Sequence, residues 1–600
     1  MQEKLPKRNE VPKELTWRLE DIYETPKLWE ADFAELEKLG AKVESYQGKI
    51  ENSAEDLLNC LKLQEEGMAL LSKLYRYAGF HFHQDTSDPE NQVMYQKAGM
   101  KIALYEQKLA FISPAVISIS DEKMEQFYKE QPELSHFDSP IREIRRAKDH
   151  TLNAEMEHLM STADEVLGVS KNTFEMLSNA ELKFPDVKDS KGNDIPLTGG
   201  RFVPIQQSKD RELRKNAFEV FYSRYQDFKN TWANLFDGEI KGRTFNTKAR
   251  NFNSNFEAAC FGSDIDPGVC DRLIDAVHKG MEPMYRYVRL RKKLLGVDEL
   301  HMYDVYVSMI KDFDMEVDFE KAKELTLGAL EPMGEEYLNT VKEAYANRWI
   351  DVLENEGKMG GAYSASVIGV HPYMLLNYHN TLDDVFTLIH EMGHTMHTWY
   401  STKNQPPLDS GYETFVAEVA STTNEVLLYY YMKERAQSKE EKAYLVNHFL
   451  ESFKASLFRQ TMFIEFERKA NEMAEEGIPV TADALCEVYY NLNKLYFGDD
   501  MIVDELISYE WCRIPHFYDK FYVYSYATSQ AAAVDIAGRI LKEGAPAVEQ
   551  YKKFLSSGRT KDPVSLLQMA GVDFTTAKPI EAALKVFDEA IAEMEELFKD

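Results

Sequence analysis

Helical periodicity runs through most of the 600-residue chain. Apolar residues recur at positions i, i+3 and i+4 among Glu, Lys and Arg, which places them on one face of an amphipathic helix. No internal repeat of fixed period accompanies this pattern, so a solenoid is disfavoured. We therefore predict a mainly α fold. The predicted helical ranges are 28–110, 139–180, 209–260, 316–348, 412–475, 481–495 and 578–598.

The first break in the helical pattern is 184–206, which reads FPDVKDSKGNDIPLTGGRFVPIQ. Its Pro, Gly and Asn-Asp signals favour short strands joined by turns. A chain of this length is expected to form two or more folding units of about 100–200 residues each. We therefore predict a boundary here, between an N-terminal helical domain, 1–195, and a larger helical domain, 196–600, that carries the candidate metal site.

The second break is 358–378, which reads KMGGAYSASVIGVHPYMLLNY. Gly360 and Gly361 predict a flexible turn, and the β-branched and aromatic run after them predicts two short strands of a small sheet. Pro372 favours an edge position, because proline cannot donate to a strand ladder. An edge strand can pair with an extended peptide, so Gly360, Gly361, Ala362 and Tyr363 are candidate substrate contacts.

Charge and cysteine content exclude several classes of partner. The formal net charge is −31, which repels nucleic acid and anionic membrane surfaces. The five cysteines are odd in number and form no CxxC pair, so we expect free thiols in a reducing compartment. The start MQEKLPKRNEVPKEL lacks an apolar stretch, and no run of about 18 apolar residues occurs. These features predict a cytoplasmic protein, and they leave its oligomeric state open.

The segment Thr381–Tyr400, TLDDVFTLIHEMGHTMHTWY, carries metal-ligand spacing. A capping box of Thr381 with Asp384 predicts the start of a helix. His390 and His394 would lie about 40° apart around that helix and about 6 Å apart along it, so both imidazoles can reach one ion.

Two further residues of this segment have expected roles. Glu391 is rotated about 100° from His390, which puts its carboxylate beside the ion as a candidate general base. Gly393 costs about 1 kcal/mol in a helix, which a close approach of another backbone would explain.

A catalytic zinc usually has three protein ligands, and two candidates exist for the third. His397 shares the face of His390, but its axial offset of about 10.5 Å makes convergence on one ion poor. A hydrogen bond to a ligand or contact with substrate suits it better. Glu418 belongs to a second predicted helix, begun by a capping box of Ser410 with Glu413. A carboxylate among apolar neighbours needs a partner, and zinc would supply one.

Other roles remain open for the residues of these two helices. Glu425 shares the face of Glu418 and is expected to orient a ligand histidine from the second coordination sphere. The pattern alone leaves open two alternatives to a metal site: His390 and His394 could be surface histidines, and Glu418 and Glu425 could belong to a salt-bridged helix face.

Residues 513–530, RIPHFYDKFYVYSYATSQ, crowd four tyrosines behind His516. An aromatic helix face in the core is one interpretation. The other is a set of hydrogen-bond donors for the oxyanion that develops when an amide is hydrolysed.

These segments carry a family resemblance. From Tyr363 to Leu427, the stretches HPYMLLNY, TLDDVFTLIHEMGHTMH and ETFVAEVASTTNE resemble the thimet-oligopeptidase-like (M3) metallopeptidases, and most of all their oligoendopeptidase F branch. The resemblance extends to Leu15–Tyr23, to Arg145–Leu152 and to the C-terminal aromatic run. The extended pattern HExGHxxH with a downstream AEVASTxNE is much more specific than HExxH alone.

The resemblance implies a helical ellipsoid around a deep substrate channel, with 1–195 as channel wall or lid. It implies one zinc ion held by His390, His394 and Glu418, with Glu391 as base. It also implies internal cleavage of short peptides, with folded proteins excluded.

The same resemblance assigns the oxyanion donors to His516 and Tyr526. The spacing after His516 is shorter than in mammalian relatives, so the choice among Tyr518, Tyr522 and Tyr524 stays open. Tyr518 and Tyr524 are taken as candidate substrate contacts.

We therefore predict a zinc-dependent endopeptidase acting on oligopeptides. A helical zinc carboxypeptidase is the enzymatic alternative, and it would release single C-terminal residues instead of internal fragments. A non-catalytic peptide-binding protein on the same scaffold is the alternative from another class. The intact Glu391 argues against it, and a peptide-cleavage assay with and without chelator separates the two.

Overall fold

The computed structural model describes residues 5–310 and 315–599. Helices dominate it, and the strands are two or three residues long, so the predicted mainly α class is confirmed. The α-helices are Pro26–Glu44, Ala54–Gln84, Pro89–Leu109, Ile112–Ser118, Asp121–Glu130, Asp138–Arg146, Ala154–Leu167, Val169–Met176, Gly199–Gln206, Arg211–Asp227, Lys229–Ala249, Asn255–Gly262, Gly268–Lys279, Glu282–Leu295, Phe319–Ala329, Glu335–Ala346, Leu382–Asn404, Thr414–Arg435, Lys439–Phe453, Arg459–Glu475, Ala482–Phe497, Tyr524–Glu543, Ala545–Leu555, Pro563–Met569 and Lys578–Leu597.

The contacts between residues divide the chain into two compact units. Unit 1 consists of Met1–Asp149, Met315–Met432 and Ile536–Val572, and unit 2 of His150–Asp314, Lys433–Asp535 and Asp573–Asp600. Each unit therefore combines three separate stretches of sequence. The predicted role of 1–195 as a channel wall or lid stays a prediction.

A three-stranded sheet lies in unit 1. Tyr373–Leu375 is its central strand, parallel to Ile350–Asp351 and antiparallel to Tyr363–Ala365. The two strands predicted after the Gly360-Gly361 turn are thus present, with Tyr363–Ala365 at an edge. The edge position inferred from Pro372 is wrong for its own strand, because the proline precedes the first ladder residue and removes no ladder hydrogen bond.

A buried ionic group anchors this sheet. The Asp351 side chain is fully buried and accepts from Lys358 Nζ at 2.7 Å and from Arg8 Nη1 at 2.9 Å. Burial favours the protonated acid, but Arg8 and Lys358 outweigh it and lower the pKa of Asp351. The pair with Lys358 fixes the chain just before the Gly360-Gly361 turn.

The first break in the helical pattern lies in unit 2. Val187–Lys188 and Asp194–Ile195 are the expected short strands, and they pair antiparallel. The prediction of strands is wrong for the end of the segment, where Gly199–Gln206 is a helix. Its start is capped by Thr198, whose side chain accepts from the backbone N–H of Arg201, so an N-cap signal outweighed the glycines.

Two helices that follow one another in the sequence carry the candidate metal ligands. They are Leu382–Asn404, here the first site helix, and Thr414–Arg435, here the second site helix. The predicted capping box of Thr381 with Asp384 is present at the start of the first. The box predicted for Ser410 and Glu413 is wrong. The Ser410 hydroxyl donates to the carbonyl of Pro407, and Glu413 pairs with Arg559.

Gly393 is the point where the site helices meet. A Cβ at this position would lie 2.5 Å from both the carbonyl oxygen of Ala420 and Cα of Ser421. Both atoms are backbone, so neither can move aside as a flexible side chain would. The glycine predicted to allow a close backbone approach does so between the two helices that carry the candidate ligands.

The described residues contain no single helix that is both long and apolar enough to cross a membrane, while Pro89–Ser118 and Asp121–Glu130 pass that test only as a pair bent by 108°. All five cysteines are free thiols, of which Cys486 alone is partly exposed. The thiols expected from the odd cysteine count are therefore confirmed.

We predict that Gly393→Ala lowers the free energy of unfolding by about 1–3 kcal/mol, because overpacking forces the two backbones apart. Gly99→Ala is the matched control, since a Cβ at that helical glycine would meet no atom within 4 Å. The control is expected to stabilise by up to about 1 kcal/mol through helix propensity. Urea unfolding followed by circular dichroism measures both, and equal effects of the two variants would contradict the packing argument.

Candidate metal centre

Three ligand atoms from the two site helices converge. His390, His394 and Glu418 each offer one atom, and these atoms all lie within 4.8 Å of one another. Glu418 Oε2 lies 3.3 Å from His390 Nε2 and 3.4 Å from His394 Nε2. Two ligands held tetrahedrally at 2.0–2.1 Å from one zinc ion are about 3.4 Å apart. The separations and the donor types, two imidazoles and one carboxylate, therefore fit a zinc ion.

The electrostatics of the group favour a cation. His390 Nδ1 donates to Glu425 Oε1 at 2.5 Å, so the ring lies between two carboxylates. Burial opposes charge on the imidazole, but Glu418 and Glu425 outweigh it and raise the pKa of His390. Burial also opposes charge on Glu418, yet His390 and His394 lower the pKa of that carboxyl well below its usual range. The carboxylates that favour the charged imidazole would favour a divalent cation between the ligand atoms for the same electrostatic reason.

Glu391 lies beside this group without being part of it. Its side chain is 6% exposed, and burial raises its pKa against the opposing effect of His394 and His390. Within the described chain, its Oε2 has no hydrogen-bond partner. A buried carboxylate oxygen without a partner is costly unless another group satisfies it. The atom is thus available to a water or to a proton in transfer.

His397 is not among the converging ligands. It is 1% exposed, and its ring stacks on Tyr412 at 3.8 Å with the planes 4° apart. Burial lowers its pKa to about 3, so the imidazole is neutral. Its Nδ1 has no hydrogen-bond partner among the described residues. The poor convergence expected from its axial offset agrees with this position, and its contact with substrate stays a prediction.

Two polar residues of the second site helix escaped the sequence analysis. Ser421 Oγ donates to Glu418 Oε2 at 2.9 Å, which fixes the carboxylate. Asn424 Nδ2 donates to the carbonyl of Ile389 at 3.3 Å, next to His390. Both side chains are fully buried. The available signal was the run of small polar residues, STTN, on a helix otherwise rich in apolar residues.

The edge strand Tyr363–Ala365 contacts the first site helix. Ser364 Oγ lies 2.8 Å from Thr395 Oγ1, one residue beyond His394. Gly361 has a φ of +83°, a conformation that favours glycine, and its carbonyl accepts from Asn377. Gly361 and Ala362 line a cavity of about 340 Å³ together with Leu376, Asn377, Tyr378, Asp384 and Thr387.

Gly360 and Tyr363 are the other two candidate substrate contacts along this turn. Gly360 is exposed, and the Tyr363 hydroxyl lies 2.6 Å from His83 Nδ1. The contact of all four residues, Gly360 to Tyr363, with substrate stays a prediction.

The C-terminal aromatic residues belong to unit 2. His516, Tyr522 and Tyr526 are half-buried, and their ring centroids lie 5.7–6.4 Å apart. Burial lowers the pKa of His516, so its ring is neutral near pH 7. Burial, and a hydrogen bond with Tyr526, raise the pKa of Tyr522, so its hydroxyl keeps its proton. The role of His516 and Tyr526 toward the metal group stays a prediction.

Tyr518 and Tyr524 lie elsewhere in unit 2. Tyr518 is buried and stacks on Phe174 at 4.2 Å. Tyr524 is also buried, next to Cys260. Of the three tyrosines left open by the spacing, Tyr522 is the one that shares a half-buried cluster with His516 and Tyr526. A substrate contact by Tyr518 or Tyr524 stays a prediction.

Comparison with known proteins gives matches along nearly the whole chain. Residues 205–586 match the family model for Peptidase family M3, and 116–184 match that for Oligopeptidase F. The chain is 44% identical over 593 residues to Oligopeptidase PepF of Bacillus subtilis, with 99% of this chain and 88% of the relative covered. It is 35% identical to Group B oligopeptidase PepB of Streptococcus agalactiae, with 98% of each covered.

Solved structures agree with these matches. A protein of Chlamydophila abortus has a TM-score of 0.92 at 34% identity, with 99% of this chain and 100% of that chain covered. Oligoendopeptidase-F of Enterococcus faecium has a TM-score of 0.74 at 34% identity, with 95% and 99% covered.

The family match covers more than half of the chain, and the relatives align with it almost from end to end. The resemblance inferred from HExGHxxH and AEVASTxNE is therefore confirmed. This chain belongs to peptidase family M3 and is a metalloendopeptidase of the oligoendopeptidase F type.

Proposed function

We propose that this chain is a zinc-dependent endopeptidase that hydrolyses internal bonds of short oligopeptides. The observation that carries the proposal is the convergence of His390, His394 and Glu418 next to the buried carboxylate of Glu391. The relatives named oligopeptidases support the substrate class.

His390, His394 and Glu418 would hold the zinc ion. When bound, zinc polarises water and the scissile carbonyl. Glu425 accepts from His390 Nδ1–H, which fixes the tautomer that leaves Nε2 free as a ligand. Ser421 donates to Glu418 Oε2, the same carboxylate oxygen that lies next to the two imidazoles, and so helps to fix the carboxylate. These contacts preset the ligands, so little reorganisation is needed when the ion binds.

Glu391 is the proposed general base and acid. Its buried carboxyl has a raised pKa and an Oε2 without a partner in the described chain, which suits a group that gains and loses a proton. It accepts a proton from the attacking water as the C–O bond forms. It then delivers that proton to the leaving amine as the C–N bond breaks.

The edge strand Tyr363–Ala365 is the proposed docking site for the substrate backbone. Its outer edge carries no neighbouring strand within the described residues. Main-chain pairing gives affinity without reading side chains, which suits an enzyme of broad sequence tolerance. The turn at Gly360 and Gly361 gives the strand freedom to adjust on binding.

His516 and Tyr526 are the proposed donors to the oxyanion. A neutral imidazole N–H and a protonated phenol each donate a hydrogen bond without bringing a full charge, and such donors stabilise a developing negative oxygen. Tyr522 joins them as a third candidate, since its ring lies 5.8 Å from that of Tyr526. A channel that excludes folded proteins and a cytoplasmic location stay predictions of the sequence.

We predict that Glu391→Gln keeps one zinc per chain and lowers kcat by about 10²–10⁴-fold, because an amide cannot accept the proton. Turnover of a quenched fluorescent peptide, with zinc content from plasma mass spectrometry, measures both quantities. Glu354→Gln is the control, a half-exposed residue of unit 1 paired with His379. Normal turnover of the Glu391 variant would show that the base is another group.

We predict that Glu418→Ala loses most of the affinity for zinc, while Glu413→Ala, next to the same helix, keeps it. Glu413 pairs with Arg559 instead of the histidines, so its loss leaves the ligand group intact. A competition titration with a chromophoric chelator gives both dissociation constants. Zinc affinity that is equal in the two variants would remove Glu418 from the ligand set.

We predict internal fragments when a mixed pool of short peptides is digested and analysed by mass spectrometry. Activity should disappear with chelator and return with added zinc. Release of single C-terminal residues alone would favour a carboxypeptidase, and binding without cleavage would favour a peptide-binding protein.

A further inference from the structure

The segment 514–523, here called the aromatic loop, carries His516 and Tyr522 and leads into the helix that holds Tyr526. Three of its aromatic residues, Phe517, Tyr518 and Phe521, are buried. Phe517 packs on Phe466 and Phe463, at centroid distances of 5.1 and 5.4 Å. Hydrophobic contact holds the underside of the loop, but it does not fix the angle at which the loop presents its polar side chains.

The backbone of the aromatic loop is strained at Phe521. Its φ is +60°, in the left-handed region where a residue with a Cβ is costly. Such a residue persists only when its surroundings hold it, and residues of this kind cluster at functional sites. Tyr522 follows directly, so the turn at Phe521 sets the direction of its side chain.

A buried ion pair holds both ends of this turn. Arg243 Nη1 donates to Glu467 Oε1 at 2.6 Å, and Arg243 Nη2 donates to the carbonyl of Phe517 at 2.6 Å. Glu467 Oε1 also accepts from the backbone N–H of Phe521 at 3.2 Å. The guanidinium lies over the Phe521 ring, 5.2 Å from its centroid. The pair therefore grips the backbone just after His516 and just before Tyr522.

Stability alone does not explain this pair. Burial of two opposite charges is often no better for folding than an apolar pair of similar volume. Glu467 is fully buried, its Oε2 has no hydrogen-bond partner in the described chain, and burial raises its pKa to about 7 despite Arg243. The groups that the pair holds are a better explanation than the pair's own energy.

We propose that Arg243 and Glu467, here called the clamp, are positioning residues that hold His516 and Tyr522 at the angle required for hydrogen bonding to the reacting carbonyl. The inference rests on the proposed function, since it assumes that the half-buried cluster of His516, Tyr522 and Tyr526 stabilises the oxyanion. The clamp bonds to the backbone of the loop and lies against the Phe521 ring, so it acts on His516 and Tyr522 through the residues next to its contact points.

The clamp is expected to affect kcat and not substrate affinity. Donors must be aligned before charge develops, and a displacement of about 1 Å can reduce the rate about 100-fold. Glu467→Gln keeps the shape of the side chain but replaces the carboxyl with a neutral amide, which bonds more weakly to Arg243 and to the Phe521 N–H. The loop then loses part of its anchor, while all the proposed donors stay in place. We expect kcat to fall about 10- to 100-fold, with KM and zinc content unchanged.

Glu239→Gln is the matched control. Glu239 accepts from Nε of the same arginine at 3.2 Å but is not bonded to Phe517 or Phe521. Its loss should leave kcat within about twofold of the unmodified enzyme if the clamp acts through the loop. Arg243→Lys is a second, milder variant, which keeps the charge and loses the second donor. It should lower kcat in the same direction while the melting temperature stays close to that of Glu239→Gln.

A double-mutant cycle separates failure of the clamp from failure of the proposed function. Tyr526→Phe alone should lower kcat. Adding Glu467→Gln to this variant should lower kcat by a smaller factor than it does in the unmodified enzyme, because both changes act on one set of donors.

If Tyr526→Phe and His516→Gln each keep normal kcat, the assigned donors are wrong and the clamp has no donors to position. If those variants lose kcat while Glu467→Gln and Arg243→Lys keep it, the donors stand and the clamp is overturned. The clamp would also be overturned if the clamp variants and Glu239→Gln showed the same changes in kcat, KM and zinc content. Equal changes would indicate a general loss of structure.

Discussion

The contact of the two site helices at Gly393 is the constraint on which the metal centre depends. A helix can place His390 and His394 on one face by its own geometry, but a third ligand must come from another element. The missing Cβ lets the backbone of Ala420 and Ser421 approach to a distance that no other residue type permits. Glu418, two residues before Ala420, is thereby brought to the two imidazoles.

Close packing of the helices leaves His390, His394 and Glu418 half-buried, which costs free energy because polar groups are removed from water. Hydrogen bonds from neighbouring residues offset part of this cost. Glu425 fixes one histidine, and Ser421 fixes the carboxylate. Two carboxylates around His390 raise the pKa of its imidazole, and the same negative charges would favour a divalent cation. Glu391 stays outside these hydrogen bonds, and its Oε2 has no partner among the described residues, which suits the proton transfer that we propose for it.

The sequence predicted the parts of the structure that depend on local pattern. Helical periodicity identified the fold class, and the spacing of His390 with His394 and the capping box of Thr381 identified the first site helix. It failed where local signals compete: Thr198 starts a helix after two strands, and the hydroxyl of Ser410 bonds to a carbonyl instead of capping a helix. Ser421 has its role only because tertiary packing buries it, and residue spacing does not encode that.

The same reasoning extends from the metal centre to the aromatic loop. In both places an ionisable group holds a residue for which we propose a role in the reaction: Glu425 bonds to His390, and Glu467 with Arg243 bonds to the turn between His516 and Tyr522. Each arrangement costs stability, because charge is removed from water and, at Phe521, the backbone is strained. In a preorganised site this free energy is spent during folding, before substrate binds. If the groups had to reorganise during the reaction, the same energy would be added to the activation barrier.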